Sequence, residues 1–141
     1  MLCGDFHGNT DNIQRFIHLA DLDRNPHRIV VIQEILHARL LTEDERDLSF
    51  DTILYALDLI ARYPGQVYYL LGNHDLGFHL GRDLVKAGKS LNRYLYKGMN
   101  FQFGDRYQEV ADEYKSFIGG MPAAIMTQNG IFMSHSTPKK A

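Results

Sequence analysis

The 141-residue chain carries one cysteine, Cys3. A lone thiol excludes an internal disulfide framework and permits a reducing cytoplasm, which is the setting expected for the protein. Cys3 itself is expected to pack in a first strand. No apolar run approaches the roughly 18 residues of a membrane span, and no signal-peptide pattern opens the chain, so no membrane partner is expected. An excess of one charge is missing too. Lys and Arg total 15 against 17 Asp and Glu, a formal net charge of −2 that gives no reason to expect nucleic acid or an anionic membrane. Internal repeats, low-complexity runs and an evident interdomain linker are also absent. What remains, 45% hydrophobic and 23% charged, reads as one globular domain.

Periodicity predicts the order strand, helix, strand, helix, strand, a helical region, then two strands. Met1-Leu2-Cys3 is a first strand. Thr10 or Asp11 is expected to cap a helix whose Ile13, Phe16, Ile17 and Ala20 share one face. The β-branched run Arg28–Ile32 suits a buried strand. Thr42 and Glu45 fit a capping box, and Phe50, Ile53, Leu54, Leu57, Ile60 and Ala61 form an apolar stripe that Pro64-Gly65 ends. Gln66–Leu71 is the next strand. Residues 76–120, rich in Tyr, Lys, Arg and Gly, read as a helical insert with helices over 90–98 and 105–118. Strands at 123–127 and 130–134 meet at Gln128-Asn129-Gly130. Strands alternating with helices predict an α/β fold with a parallel sheet, whose ligands lie beyond the carboxyl ends of its strands.

The polar strings 4–9, 33–37 and 72–75 all fall at such ends. In Gly4-Asp5-Phe6-His7-Gly8-Asn9, Asp5 and His7 can approach one metal from a single turn, with glycines letting the backbone pass close. In Gly72-Asn73-His74-Asp75, Asn73 offers a carbonyl oxygen, and His74 beside Asp75 suits a proton donor oriented by a carboxylate. His135 is a further candidate ligand at a strand end. Each string also has a plainer reading. The first is compatible with an ordinary Asx turn, and His135 with a hydrogen-bonded histidine. His18 and His27 read as surface residues, and His79 is ambiguous. Arg39 and Arg82 suit phosphate clamps as well as solvated side chains.

Together the two glycine-bounded strings resemble those of the calcineurin-like metallophosphoesterases, a family that includes the Ser/Thr protein phosphatases and the symmetrical dinucleotide-polyphosphate hydrolases. The region from Gly119-Gly120-Met121-Pro122 to Ser134-His135-Ser136-Thr137-Pro138 is similar to the family's strand pair ending in a metal histidine. The resemblance implies a four-layer α/β/β/α sandwich, with residues 1–141 forming a single catalytic domain. It implies two divalent metal ions, with Mn²⁺ or Fe/Zn pairs the family expectation, bridged by a carboxylate and a hydroxide that attacks phosphorus in line. Carried over by position, Asp5 and His7 hold the first metal and Asn73 and His135 the second. His74, paired with Asp75, protonates the leaving oxygen of a phosphomonoester or phosphoanhydride. The partner implied is therefore a phosphorylated small molecule or phosphoprotein.

The chain departs from the family pattern at three points. Gln33-Glu34 stands where the family has Gly-Asp, so Glu34, one methylene longer, falls in the bridging position. The family's last histidine motif has no match, and the three-residue first strand is short, so the chain is expected to be a piece of a larger domain, incomplete at both ends. Leu71 and Asp75 replace an arginine and a glutamate of the protein phosphatases. The rival expectation is a catalytically weak or inactive member that keeps the fold as a binding or regulatory module.

Overall fold

The computed structural model describes residues 1–136. The β-branched run forms β1 (Val30–Gln33), buried throughout. It pairs in parallel with β2 (Val67–Leu70), Val30 opposite Val67 and Gln33 opposite Leu70. A parallel pair needs a crossover. Here it is α2 (Ser49–Arg62), which turns Phe50, Ile53, Ala56 and Leu59 inward. The expected first strand is reduced to one parallel bridge between Leu2 and Val31. Val31 N–H donates to Met1 O at 2.9 Å and Cys3 N–H to Val31 O at 3.3 Å. Cys3 packs, partly buried, against the core.

Helix α1 (Thr10–Ala20) is capped by Asn9, not by Thr10 or Asp11. Asn9 Oδ1 accepts the Asn12 N–H at 2.9 Å, which leaves the Thr10 hydroxyl to bond Thr52 of α2 at 2.6 Å. Nor do Thr42 and Glu45 cap a helix. Thr42 Oγ1 accepts the Arg46 N–H at 2.9 Å and Glu45 takes a φ of 58°, so the segment closes as a turn. The N-cap position is Leu48, which offers no side-chain bond; Asp47 just before it accepts Ser49 N–H at 2.7 Å and, with its other oxygen, Ala38 N–H at 3.0 Å. One buried side chain thereby ties the start of α2 to the loop after β1.

After β2 the chain turns into α3 (Asn73–His79), a two-turn helix where a glycine-bounded turn leading into a helical insert is expected. A small hairpin follows, β3 (Val85–Lys86) and β4 (Lys89–Ser90), also unforeseen. Helices α4 (Leu91–Phe103) and α5 (Tyr107–Gly119) come next, joined by a 3-10 turn. Leu95, Met99, Ala111, Tyr114 and Ile118 enter the same apolar cluster as Ile13, Ile32 and Ile53. The last element is the antiparallel pair β5 (Ala124–Met126) and β6 (Phe132–Ser134), in the expected place. It reaches the parallel sheet through Leu71 N–H, which donates to Pro122 O at 2.9 Å. Thr137 and Pro138 of the last motif lie outside the described residues. Among the described residues no helix is long and apolar enough to cross a membrane.

Candidate metal centre

Three chain segments converge beyond the carboxyl ends of the strands, held first by backbone. Phe6 and His7 N–H donate to Glu34 O at 3.0 and 2.9 Å, and Gly8 N–H to Ile35 O at 2.8 Å. This clamps the 4–8 turn onto the loop leaving β1. It also bends both backbones into the left-handed region, with φ of 44° at His7, 49° at Glu34 and 65° at His37. Such angles are uncommon outside glycine and concentrate at functional sites. Gly8, at φ 71°, accommodates the close approach, since a Cβ there would lie 2.9 Å from Ala38 Cβ.

Glu34 is the centre of the cluster and only 1% exposed. Its Oε1 accepts the His74 backbone N–H at 3.1 Å, whereas Oε2 is buried without a hydrogen bond. Around it stand His135 Nε2, 3.2 Å from Oε2, and His74 Nε2, 3.7 Å from Oε1. Burial, and then the negative charge of Asp75, push the Glu34 carboxyl up to about 8. A carboxylate with an orphaned oxygen, held in a dry place, needs a cation or a proton.

The hydrogen-bond chain behind the histidines fixes which nitrogen is free. His7 Nδ1 lies 3.1 Å from Leu36 O, so it carries the proton and leaves the Nε2 lone pair open. Asn92 Nδ2 donates to Arg82 O at 2.9 Å, which leaves Asn92 Oδ1 to accept from His37 Nε2–H at 3.0 Å. His37 Nδ1 then accepts from His74 Nδ1–H at 2.8 Å, and the His74 Nε2 lone pair faces the cluster. Burial lowers both His37 and His74 to about 4, so both rings are neutral at pH 7. His7, Glu34 and His74 each present one donor atom within 4.8 Å of the others.

Asp5, Asn73 and His135 complete the surroundings. Asp5 Oδ2 is 3.9 Å from His7 Nε2, and Oδ1 is 3.8 Å from His135 Nδ1. His135 Nε2 lies 2.8 Å from Asn73 Oδ1, and Nδ1 lies 3.3 Å from Gln33 Oε1. The Gln33 amide is oriented from behind, its Nε2 donating to Cys3 O at 2.8 Å. Gln33 therefore offers His135 an acceptor on the ring nitrogen away from Glu34, an arrangement that leaves Nε2 available to a cation. The sequence reading gave Gln33 no such part. Its signal was a polar side chain at the end of a fully buried strand.

Asp75 is not where that reading put it. Its Oδ1 accepts the hydroxyls of Tyr69 and Tyr114 at 3.0 and 3.1 Å, and Oδ2 accepts Gly72 N–H at 3.2 Å. None of these bonds goes to the His74 ring. Residues 74 and 75 begin a helix, where neighbouring side chains point about 100° apart, so one faces the cluster and the other the core. His37 takes the place behind His74 that Asp75 was expected to hold. His79 is structural, its Nδ1 donating to Lys115 O at 2.8 Å and fastening α3 to α5. His18 and His27 are exposed, as expected.

Oxygen and imidazole donors gathered at the ends of parallel strands define a metal-binding site in an α/β protein. A family model for calcineurin-like phosphoesterase matches residues 1–139, and the chain belongs to that family. Comparison with curated proteins gives no match. Membership carries with it a divalent-metal-dependent phosphoesterase kind of chemistry, and the residues fit such ions. Glu34 Oε2 is buried without a hydrogen bond, with His135 Nε2 3.2 Å away, and the oxygen and imidazole donors set around it suit first-row divalent metals.

Proposed function

We propose that the protein is a two-metal phosphoesterase that hydrolyses a phosphomonoester or phosphoanhydride, with Mn²⁺ the first metal to try. The observation that carries this is Glu34, a buried carboxylate with one unsatisfied oxygen, encircled by donors from three chain segments. Asp5 and His7 would hold one cation, Asn73 and His135 the other, with Glu34 between them. Bound there, two cations polarise phosphoryl oxygens and lower the pKa of a coordinated water.

The chain's own residues supply orientation and proton handling. Leu36 O and His37 hold His7 and His74 from behind, each in a single tautomer. His74 Nε2 is the atom at which a proton passes to or from the substrate.

The deciding experiment is metal content by elemental analysis together with turnover of phenyl phosphate in Mn²⁺, for the native chain, Glu34→Ala and His74→Ala. Two metals and turnover in the native chain, both lost in Glu34→Ala, with turnover alone lost in His74→Ala, would support the reading. Two metals without turnover on any phosphoester would favour the binding or regulatory module. The substitution of Gln33-Glu34 for Gly-Asp is the feature that keeps that second reading in view.

A further inference from the structure

Beside His7 and His74 the centre opens into a cavity of about 430 Å³. Its far wall is made by the β3–β4 hairpin and the start of α4, and it has two characters. Leu84, Val85, Leu91 and Tyr94 give it an apolar side, while Arg39, Lys86 and Lys89 give it positive charge. Lys89 is committed elsewhere, 3.5 Å from Glu45 and over the Tyr94 ring. The Arg39 guanidinium and the Lys86 ammonium have no carboxylate or hydrogen-bond partner among the described residues.

Positive charge here is not needed to balance the protein. The cavity's one acid, Asp47, is spent on the backbone N–H groups of Ala38 and Ser49. Glu34 and Asp5 face the metal side. Two unpaired cations on the wall of a concave site attract an anion, and the apolar side favours an organic group between that anion and the reacting phosphate.

We infer that this cavity is the leaving-group subsite, and that the substrates are small organic phosphates whose leaving group carries a second negative charge, recognised by Arg39 and Lys86. The inference rests on the phosphoesterase reading for the position of the reacting phosphate. It selects against an extended phosphoprotein segment, because the hairpin and the start of α4 form a wall of the cavity opposite His7 and His74. Ala87 and Gly88, at φ of 51° and 76°, form the tight turn that places Lys86 over the opening.

Non-hydrolysable ligands test this without relying on catalysis. Butylphosphonate and 4-phosphonobutyrate differ only in a terminal carboxylate on a flexible chain. Calorimetric titration of the Mn²⁺-loaded protein is expected to give 4-phosphonobutyrate an advantage of about tenfold, one charge-assisted pair's worth. In the Arg39→Ala/Lys86→Ala variant the advantage should fall to about twofold or less, the level of an exposed pair. Both positions are exposed, so the variant is expected to fold. Equal affinities in the native protein, a preference unchanged in the variant, or tighter binding of a phosphoserine peptide would each overturn the subsite. Absence of turnover on both phenyl phosphate and 4-carboxyphenyl phosphate, with the preference intact, would instead remove the phosphoesterase reading and leave the anion subsite standing.

Discussion

The carboxylate of Glu34 fills the space in which Gly72 would carry a side chain: a Cβ there would lie 1.8 Å from Glu34 Oε2 and 2.8 Å from Cδ. The longer acid at position 34 and the missing side chain at position 72 are therefore one feature. Gly72→Ala is expected to displace the carboxylate, destabilise the fold by about 1–3 kcal/mol as overpacking does, and lower metal content. Glu34→Asp withdraws the carboxylate from that space. In the double variant Gly72→Ala/Glu34→Asp the alanine should then be tolerated, with a coupling of about 1 kcal/mol or more. Urea denaturation of the four proteins measures it, and strictly additive effects would show that the two positions do not share the space.

Metal uptake should expel a proton. Without metal the Glu34 carboxyl titrates at about 8, so it is largely protonated at pH 7, and a cation must displace that proton to bind. Calorimetry of Mn²⁺ binding in buffers of different ionisation enthalpy should report release of roughly one proton per Glu34 at pH 7, declining above pH 8. The stability of the chelated protein gives the complementary sign. A carboxyl raised in the folded state contributes stability that is fully present below its unfolded value of 4.5 and lost as pH rises through about 8. His37 and His74, lowered to about 4, contribute in the opposite sense but only below their unfolded value of 6.5. Between pH 7 and 9 the chelated protein should therefore melt lower as pH rises, and Mn²⁺ should cancel the trend.

Asp75→Asn is expected to impair folding and leave the metal site filled. Turned one way the amide nitrogen meets the Gly72 N–H, and turned the other it meets two tyrosine hydroxyls that must reverse to accept, a loss of about 1–3 kcal/mol in a buried position. The urea midpoint should fall while metal per folded chain stays unchanged. Unaltered stability combined with lost turnover would return Asp75 to the chemistry.

His37→Ala is expected to act through His74. Removing the acceptor at His37 Nδ1 frees the His74 ring to take either tautomer. Nitrogen chemical shifts of His74 should move from one form to a mixture, and kcat should fall by about 10-fold or more, part of the roughly 10²–10⁴ that a positioned proton-transfer group contributes. KM should change less. Asn92→Leu, one step further back, should show the same spectral change in weaker form, and a His74 spectrum unaltered by either variant would argue against the relay.

The parts of this protein set by local pattern were legible in its sequence. The stripe of α2, the β-branched run of β1 and the Asn-Gly turn between β5 and β6 each follow from spacing and propensity alone. So does the closeness of Asp5 to His7 and of Asn73 to His74, because short glycine-bounded strings keep their donors together whatever surrounds them. The partners of those residues were not legible. That His74 leans on His37 and not on its neighbour Asp75 depends on α3 beginning at Asn73, which rotates adjacent side chains apart. That Asp75 serves Tyr69 and Tyr114 depends on how α5 crosses β2 and α3, a tertiary fact with no local signature. Asn92 reaches the site from 55 residues away in sequence.

The hairpin of β5 and β6 leaves Met126, Ile131 and Phe132 more than half exposed, and His135 at its end is what brings it to Glu34 and Asn73. A cation shared by these residues would then work as a reversible cross-link, closing a loop of chain between positions separated by 62 in sequence. Occupancy of the centre would set how tightly the end of the described chain is fastened to the segments that carry Glu34 and Asn73. Hydrogen exchange in β5 and β6 would then follow the free metal concentration, while exchange in the buried strand β1 would follow global unfolding.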